Sequence, residues 1–249
     1  MTIDPLSNNT PDGPRPTVVL VHGAFAESAS WNDVVASLLA DGYPVVAAAN
    51  PLRGLQADAD YLRAVLAGVD GPVVLAGHSY GGSVMSEAAD GNAAVKALVY
   101  VASFILEEGE STGELAAKFP GGELGPALRP VPVRGPDGQE AADLYIQQNR
   151  FREVFAADVP EDVSALMAAT QRPIVGDALE AKATAAAWRT IPSWNLVTLD
   201  DLAVPAASQR FMGERAGSHN VEVAASHAVT VSQPEVVARL IDEAARATA

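Results

Sequence analysis

The chain has 249 residues, enough for one large α/β domain with a full hydrophobic core. Its 31 acidic residues outnumber its 16 basic ones, and the formal net charge of −15 argues against nucleic acid as a partner. The absence of cysteine excludes disulfides, a thiolate nucleophile and thiolate metal sites. Neither a signal peptide nor an apolar run of about 20 residues is evident, so we expect a cytoplasmic protein with no membrane partner.

Strands and amphipathic helices alternate through the first part of the chain. Residues 1–15 are rich in Pro, Asn, Asp and Ser, which predicts a flexible tail. The predicted core of residues 16–103 holds four apolar strands, at 16–22, 44–49, 72–76 and 95–102. Apolar residues at helical spacing predict helices at 31–39, behind a cap at Ser30, and at 61–69, with a helix-compatible stretch at 83–89.

This alternation stops at about residue 104. Residues 104–190 contain Gly/Pro-rich turns and helical stretches at 141–154 and 161–170, which predicts an inserted helical cap. The alternation returns in residues 191–249, with strands at 193–199 and 220–224 and helices opened by Pro205 and Pro234. Near-continuous apolar strands separated by helices predict an α/β fold with a mostly parallel sheet and helices on both faces.

The most informative segment is Val-Val-Leu-Ala-Gly-His-Ser-Tyr-Gly-Gly at 73–82. A buried strand here runs into Gly-x-Ser-x-Gly, a motif that places its serine on a sharp strand-to-helix turn. A serine hydroxyl becomes a useful nucleophile when such a turn exposes it to a base. Gly77 and Gly81 let the backbone pass close to the serine without Cβ clashes. The sequence therefore predicts Ser79 as a nucleophile.

A base for Ser79 is sought among four histidines. His78 is adjacent to the serine, so its side chain must point away from the reacting side and pack beneath the turn. We expect His22 to brace a loop and His219 to be a solvated turn residue. His227 lies just past the carboxyl end of the last predicted strand, the edge where sites assemble in open α/β sheets. We therefore predict His227 as the base.

Two further groups complete the predicted site. The acid should follow the preceding strand, where Asp200 and Asp201 both stand, and their spacing does not separate them. The oxyanion needs two main-chain donors, for which we predict the N–H groups of Tyr80 and Ala24. Gly23, just before Ala24, allows the close approach that such a donor requires.

Five motifs together resemble the α/β-hydrolase superfamily: Val-Leu-Val-His-Gly-Ala-Phe, Gly-His-Ser-Tyr-Gly-Gly, Val-Tyr-Val-Ala-Ser-Phe, Asp-Leu-Ala-Val-Pro and Ser-His-Ala. Within it the chain looks like the esterase and hydroxynitrile-lyase-like branch, from residue 16 to the C-terminus. The resemblance implies a six-stranded sheet and no cofactor, and we expect no metal. It favours Asp201 as the acid, because the branch places its acid just before a short apolar stretch that ends in proline. Related lyases carry Thr where this chain has Gly23 and Lys where it has Ala228, so the resemblance favours an esterase.

The leading hypothesis is therefore a serine hydrolase that cleaves a small carboxylic ester, lactone or related acyl compound through an acyl-enzyme. A hydroxynitrile-lyase-like enzyme and a low-turnover ligand-binding module on the same fold are the alternatives. The expected partner is a small-molecule acyl substrate, and a homodimer is an open possibility for assembly. Five aromatic residues of the predicted cap are candidates for lining an acyl pocket, although such residues more often belong to a core: Phe119, Tyr145, Phe151, Phe155 and Trp188.

Overall fold

The computed structural model describes residues 15–135 and 138–248. The predicted tail at residues 1–15 therefore lies outside the described residues except for Arg15. The guanidinium of Arg15 lies 4.5 Å from the ring centre of Tyr43 and 3.8 Å from the carboxylate of Asp242. The first described residue is thus already in contact with the folded core.

The strands and helices of the described residues follow each other in chain order. The strands are β1 Thr17–Val21, β2 Val45–Ala48, β3 Val73–His78, β4 Val95–Val101, β5 Leu128–Arg134, β6 Glu140–Ile146, β7 Ile174–Val175, β8 Ser193–Thr198 and β9 His219–Val223. The α-helices are α1 Asn32–Ala40, α2 Leu55–Ala67, α3 Tyr80–Ala89, α4 Thr112–Ala117, α5 Leu124–Ala127, α6 Gln148–Phe155, α7 Glu161–Thr170, α8 Gly176–Glu180, α9 Ala206–Arg215, α10 Val229–Ser232 and α11 Pro234–Ala247. Short 3₁₀ helices cover Ser28–Trp31 and Ala187–Arg189.

Six parallel strands form the central sheet, in the order β2-β1-β3-β4-β8-β9. Strand β1 shows how the sheet is covered, because successive side chains of a strand point to opposite faces. Val19 and Val21 join one apolar cluster with residues of α2 and α3, whereas Val18 and Leu20 join another with residues of α1 and α11. The predicted α/β fold, with a parallel six-stranded sheet between two layers of helices, is confirmed.

The segment between β4 and β8 departs from the expected helical cap. It contains a three-stranded antiparallel sheet, in the order β5-β6-β7, as well as helices. The helix predicted at 141–154 is wrong in its first half: Glu140–Ile146 is a strand, and helix α6 begins only at Gln148. Seven cross-strand pairs with β5 override the helix-forming tendency of the Ala-Ala pair in β6. Strand β5 carries Pro130 and Pro132 and lies at the edge of this sheet, where a missing N–H is tolerated.

The predicted cap at Ser30 is also wrong. Ser30 lies inside the 3₁₀ helix Ser28–Trp31, and α1 starts behind Trp31 with no side-chain cap. The helix predicted at 61–69 begins six residues earlier, at Leu55, whereas the starts predicted at the two prolines were well placed. Pro205 precedes α9 and Pro234 occupies the first turn of α11, where its missing N–H costs nothing.

Candidate active site

Ser79 occupies a sharp turn between β3 and α3. Its φ of 54° and ψ of −127° are a strained combination for a residue with a side chain. The turn is possible because glycine stands on both sides: a Cβ on Gly81 would lie 2.3 Å from the Val21 carbonyl oxygen, and one on Gly77 would lie 2.7 Å from the main chain of Gly81. The sequence motif thus folds into the predicted elbow, which leaves Ser79 7% exposed at the carboxyl edge of the sheet.

Two hydrogen bonds hold the elbow in this conformation. The Ser79 N–H donates to the Val101 carbonyl at 3.2 Å, and the Ser103 hydroxyl donates to the Ser79 carbonyl at 2.6 Å. Ser103 is fully buried. Sequence reasoning missed Ser103, although a polar residue directly behind an apolar strand at the functional edge is a usable signal.

His227 and Asp201 form a buried pair. The Nδ1 of His227 lies 2.8 Å from Oδ2 of Asp201, and both side chains are almost completely buried. Because an ionised carboxylate only accepts hydrogen bonds, Nδ1 carries the hydrogen, and in a neutral imidazole Nε2 then has the lone pair. The exposed Asp200 makes no such contact, so the structure brings Asp201 rather than Asp200 to the histidine.

Asp201 is held by four further donors. Its Oδ1 accepts the N–H groups of Ala203 and Val204, each at 2.8 Å. Its Oδ2 accepts the hydroxyl of Thr198 at 2.8 Å and the side-chain amide of Gln209 at 3.0 Å. These donors compensate the carboxylate for its lost hydration and fix its direction. Sequence reasoning missed Thr198 and Gln209, which stand on separate elements.

The loop that carries His227 is bonded to the segment between β4 and β8. The Ala228 N–H donates to the Phe155 carbonyl at 2.9 Å, and the ring of Phe155 stands edge-on to that of His227 with centroids 4.8 Å apart. The Ser226 hydroxyl donates to the carboxylate of Asp158. Phe155 was predicted only as a pocket-lining candidate, and its contact with His227 could not be read from spacing.

His78 connects Ser79 to the main chain of His227. The Nε2 of His78, the neighbour of Ser79, lies 2.8 Å from the His227 carbonyl oxygen. Among the described residues, the Ser79 hydroxyl forms no hydrogen bond with the His227 imidazole. Hydrogen bonds of this kind are often long in ligand-free enzymes and tighten when substrate binds.

Of the three remaining histidines, His78 is buried beneath the turn as predicted, whereas the turn predicted for His219 is wrong. Burial lowers the pKa of His78 to about 3, and the nearby His227 adds to this shift. Burial lowers the pKa of His22 to about 4, against a partly opposing hydrogen bond between its Nδ1 and the Gly23 carbonyl. His219 is exposed but begins β9 rather than lying in a turn, and its Nε2 lies 3.2 Å from the carboxylate of Glu243.

The two predicted oxyanion donors lie close to the elbow. Ala24 is buried beside Gly23, and a Cβ on Gly23 would lie 2.7 Å from the Ser79 Cβ and 3.2 Å from the Tyr80 nitrogen. The Tyr80 N–H opens α3, where the first N–H groups of a helix have no partner within the helix. The loop of Ala24 and the start of α3 thus converge on Ser79.

The side chain of Tyr80 points into the core. Its hydroxyl donates to Oδ2 of Asp58 at 2.9 Å, and the Arg53 N–H donates to Oδ1 of Asp58 at the same distance. Burial raises the pKa of Asp58, and burial together with the Asp58 charge raises that of Tyr80. Tyr80 therefore faces the site with its main chain alone.

A cavity of about 400 Å³ lies against the loop that follows β1. Its lining includes Phe25 and Ala26 of this loop and Val163, Leu166 and Met167 of α7. Ser79 and His227 are not among its lining residues.

The predicted pocket aromatics other than Phe155 have separate surroundings. Phe151 is buried and packs against Phe155, with ring centroids 5.0 Å apart. Phe119 packs against Phe211, the indole N–H of Trp188 donates to the Leu106 carbonyl, and Tyr145 lies beneath the guanidinium of Arg129. Only Phe155 of the five contacts a predicted site residue through its ring.

Within the described ranges, no group of three His, Asp or Glu side chains is arranged to hold a metal ion. No helix in that part of the chain is long and apolar enough to cross a bilayer.

The chain is similar in sequence and structure to several known proteins. The family model described as alpha/beta hydrolase family matches residues 18–240. An alpha/beta hydrolase of Aspergillus novofumigatus is 28% identical over 257 residues, which cover 93% of this chain and 97% of the relative. A pyrethroid hydrolase of Sphingobium wenxiniae is 28% identical over 259 residues, covering 93% and 88%. The crystal structure of a pyrethroid hydrolase from Sphingobium faniae JZ-2 superposes with a TM-score of 0.75 at 24% identity, covering 93% of this chain and 98% of that one.

Proposed function

The chain belongs to the alpha/beta hydrolase family, and from this premise we propose that it is a serine hydrolase that cleaves a small carboxylic ester through an acyl-enzyme. Lactones and related acyl compounds can use the same machinery. The observation that carries the proposal is the buried His227–Asp201 hydrogen bond of 2.8 Å beside the Ser79 elbow. The names of similar proteins, a pyrethroid hydrolase and a carbendazim hydrolyzing esterase, support ester-type chemistry.

Acylation uses the lone pair that Asp201 leaves on His227. His227 Nε2 takes the proton of the Ser79 hydroxyl as the Ser79 oxygen attacks the ester carbonyl carbon. The negative charge on the former carbonyl oxygen is met by the N–H groups of Tyr80 and Ala24. His227 then gives the proton to the alcohol oxygen as the C–O bond breaks, which leaves Ser79 acylated.

Deacylation repeats these steps with water. His227 Nε2 removes a proton from a water molecule, whose oxygen attacks the acyl carbon, and the same two N–H groups stabilise the second oxyanion. Collapse returns the proton to Ser79 and releases the carboxylic acid. Throughout, Asp201 holds the Nδ1–H tautomer and stabilises the imidazolium without taking the proton.

We propose that the cavity lined by Phe25, the residue after Ala24, takes the acyl or alcohol portion of the substrate. Val163, Leu166 and Met167 give it an apolar lining, and Glu27 and Asp33 also line it. These charges, added to a net charge of −15, disfavour an anionic substrate. We propose a neutral ester with an apolar group.

The test is a burst experiment with an aryl acetate. An acyl-enzyme releases its first aryl alcohol in a burst that matches the enzyme concentration, and Ser79→Ala abolishes both the burst and the turnover. A protein that binds the ester but shows neither burst nor turnover would be a ligand-binding module on this fold. An unchanged rate in Ser79→Ala would contradict the proposed mechanism.

The same preparation tests the lyase alternative with mandelonitrile. Where the related lyases carry Thr and Lys, this chain has Gly23 and Ala228, so no cation from these positions stabilises a departing cyanide. We expect cyanide release at the buffer rate. Enzyme-dependent cyanide release above ester turnover would replace the esterase proposal.

A further inference from the structure

His78 contacts the main chain of His227. Its Nε2 lies 2.8 Å from the His227 carbonyl oxygen, and a carbonyl oxygen only accepts, so Nε2 carries the hydrogen. The other ring nitrogen, Nδ1, then bears a lone pair, and it is buried without a hydrogen-bond partner among the described residues. The contact with the His227 carbonyl therefore decides the tautomer of His78.

The surroundings keep His78 in this neutral form. The side chain is 1% exposed and lies between aromatic rings, with centroids 6.4 Å from Trp31 and 6.2 Å from Phe155. Its ring centroid is 4.7 Å from that of His227, where an imidazolium forms during the proposed reaction. A second positive charge at this distance would oppose that imidazolium, whereas a neutral N–H donor does not.

Each part of His227 has its own partner. Asp201 holds the ring of His227 at Nδ1. The Phe155 carbonyl accepts the N–H of the next residue, Ala228, and His78 Nε2–H donates to the His227 carbonyl. The first contact sets the orientation of the ring, and the other two set the place of its main chain. His78 is also adjacent in sequence to Ser79, so it links the positions of nucleophile and base directly.

We propose that His78 is a positioning residue whose Nε2–H holds the main chain of His227 so that the imidazole reaches the Ser79 hydroxyl. This inference rests on the proposed function, in which His227 is the base. His78 itself takes no proton. Its effect on the rate arises because a small displacement of a reacting group costs a large part of the rate.

The test compares His78→Gln with His78→Met. Glutamine places an amide N–H at the same number of bonds from Cα as Nε2, whereas methionine has a similar shape and no donor. We expect His78→Met to lower kcat for an aryl acetate by about 10²-fold with little change in KM. His78→Gln should recover most of that loss, and both variants should show similar decreases in Tm.

Two results would overturn the inference. Wild-type kcat in His78→Met would show that the N–H is not needed, and equal losses in both variants that follow Tm would show a packing role alone. Ser79→Ala and His227→Ala in the same assay separate this inference from the proposed function. If those two variants stay active, the proposed function fails. If they are inactive and His78→Met keeps wild-type kcat, only the inference fails.

A measurement on the unchanged protein covers the case in which the methionine variant does not fold. In ¹⁵N spectra of labelled histidine, one buried ring should remain the neutral Nε2–H tautomer from about pH 5 to about pH 8. Its assignment follows from loss of that signal in His78→Gln. A His78 ring that titrates in this range, or that carries its hydrogen on Nδ1, would contradict the inference.

Discussion

Gly23 packs against Ser79 so closely that a Cβ on the glycine would lie 2.7 Å from the serine Cβ. The same Cβ would lie 2.8 Å from the His78 carbonyl oxygen. Real Cβ atoms do not approach other atoms so closely, so any larger residue must move either the loop of Ala24 or the elbow of Ser79. The contact explains why glycine stands at this position, and it ties the loop of Ala24, the proposed second oxyanion donor, to Ser79.

Gly23→Ala should therefore reduce kcat by about 10²-fold or more, the loss that follows removal of one oxyanion donor. Steady-state kinetics with a short aryl ester measure it. Gly125→Ala is the matched control, because a Cβ at Gly125 meets no atom within 4 Å. Similar kcat values for the two variants would show that the Ala24 loop does not contribute a donor.

The two neighbouring aspartates should differ sharply. Asp201→Asn removes the carboxylate that accepts from Nδ1 of His227, and it should lower kcat by about 10⁴-fold, as the loss of this tautomer control does in serine proteases. Asp200→Asn, at an exposed position without this contact, should leave kcat near that of the wild type. The reverse ranking would assign the acid role to Asp200.

The roles of the main chain and the side chain of Tyr80 can be tested separately. Tyr80→Phe keeps the N–H proposed for the oxyanion but leaves the buried Asp58 carboxylate without its phenolic donor, at a cost of about 1–3 kcal/mol in the free energy of unfolding. We expect a lower midpoint in urea and a kcat within a few-fold of wild type. A large loss of kcat at unchanged stability would show that the phenol itself takes part in the reaction.

Two buried histidines should make stability depend on pH. In the folded protein the pKa values of His78 and His22 are about 3 and about 4, whereas an unfolded histidine has a pKa of about 6.5. Below that value the unfolded chain binds protons that the folded chain does not, so stability falls as pH falls from about 6.5 towards 4. Each histidine contributes a loss of about 1.6 kcal/mol between pH 6.5 and pH 5.

This prediction is checked by urea unfolding at several pH values between about 5 and 7, a window above most carboxylate titration. His22→Asn should roughly halve the slope of unfolding free energy against pH. An unchanged slope in His22→Asn would mean that folding does not lower the pKa of His22.

Much of the central sheet could be predicted because its signals are local. Apolar β-branched runs separated by amphipathic helices specify parallel strands, and a glycine-flanked serine behind one of them specifies the elbow. All six predicted strands of this sheet form, with ends that differ by a few residues. The glycine contacts of the elbow were likewise implied by the motif.

The segment between β4 and β8 was harder to predict, because pairing partners decide its structure. The Glu140–Ile146 segment has helix-compatible residues and becomes a strand only because β5 lies beside it. The geometry of loops explains the missed site residues. Ser103 donates to the Ser79 carbonyl from a separate segment, 24 residues away. Thr198 and Gln209 are only three and eight residues from Asp201, but they reach its carboxylate from β8 and α9, and a pattern of residue types does not specify the turn that brings these elements together.

The main-chain hydrogen bond from Ala228 to Phe155 limits how this enzyme can be re-engineered. The substrate range of a hydrolase can be changed by grafting a foreign segment over its central sheet. Here, however, the segment between β4 and β8 supplies a hydrogen-bond acceptor, the Phe155 carbonyl, to the loop of His227. A graft that omits the end of α6 would leave that loop without one of its anchors. Recombination at α6 would therefore alter turnover as well as selectivity, and crossover points placed after Asp158 would keep both contacts from the native parent.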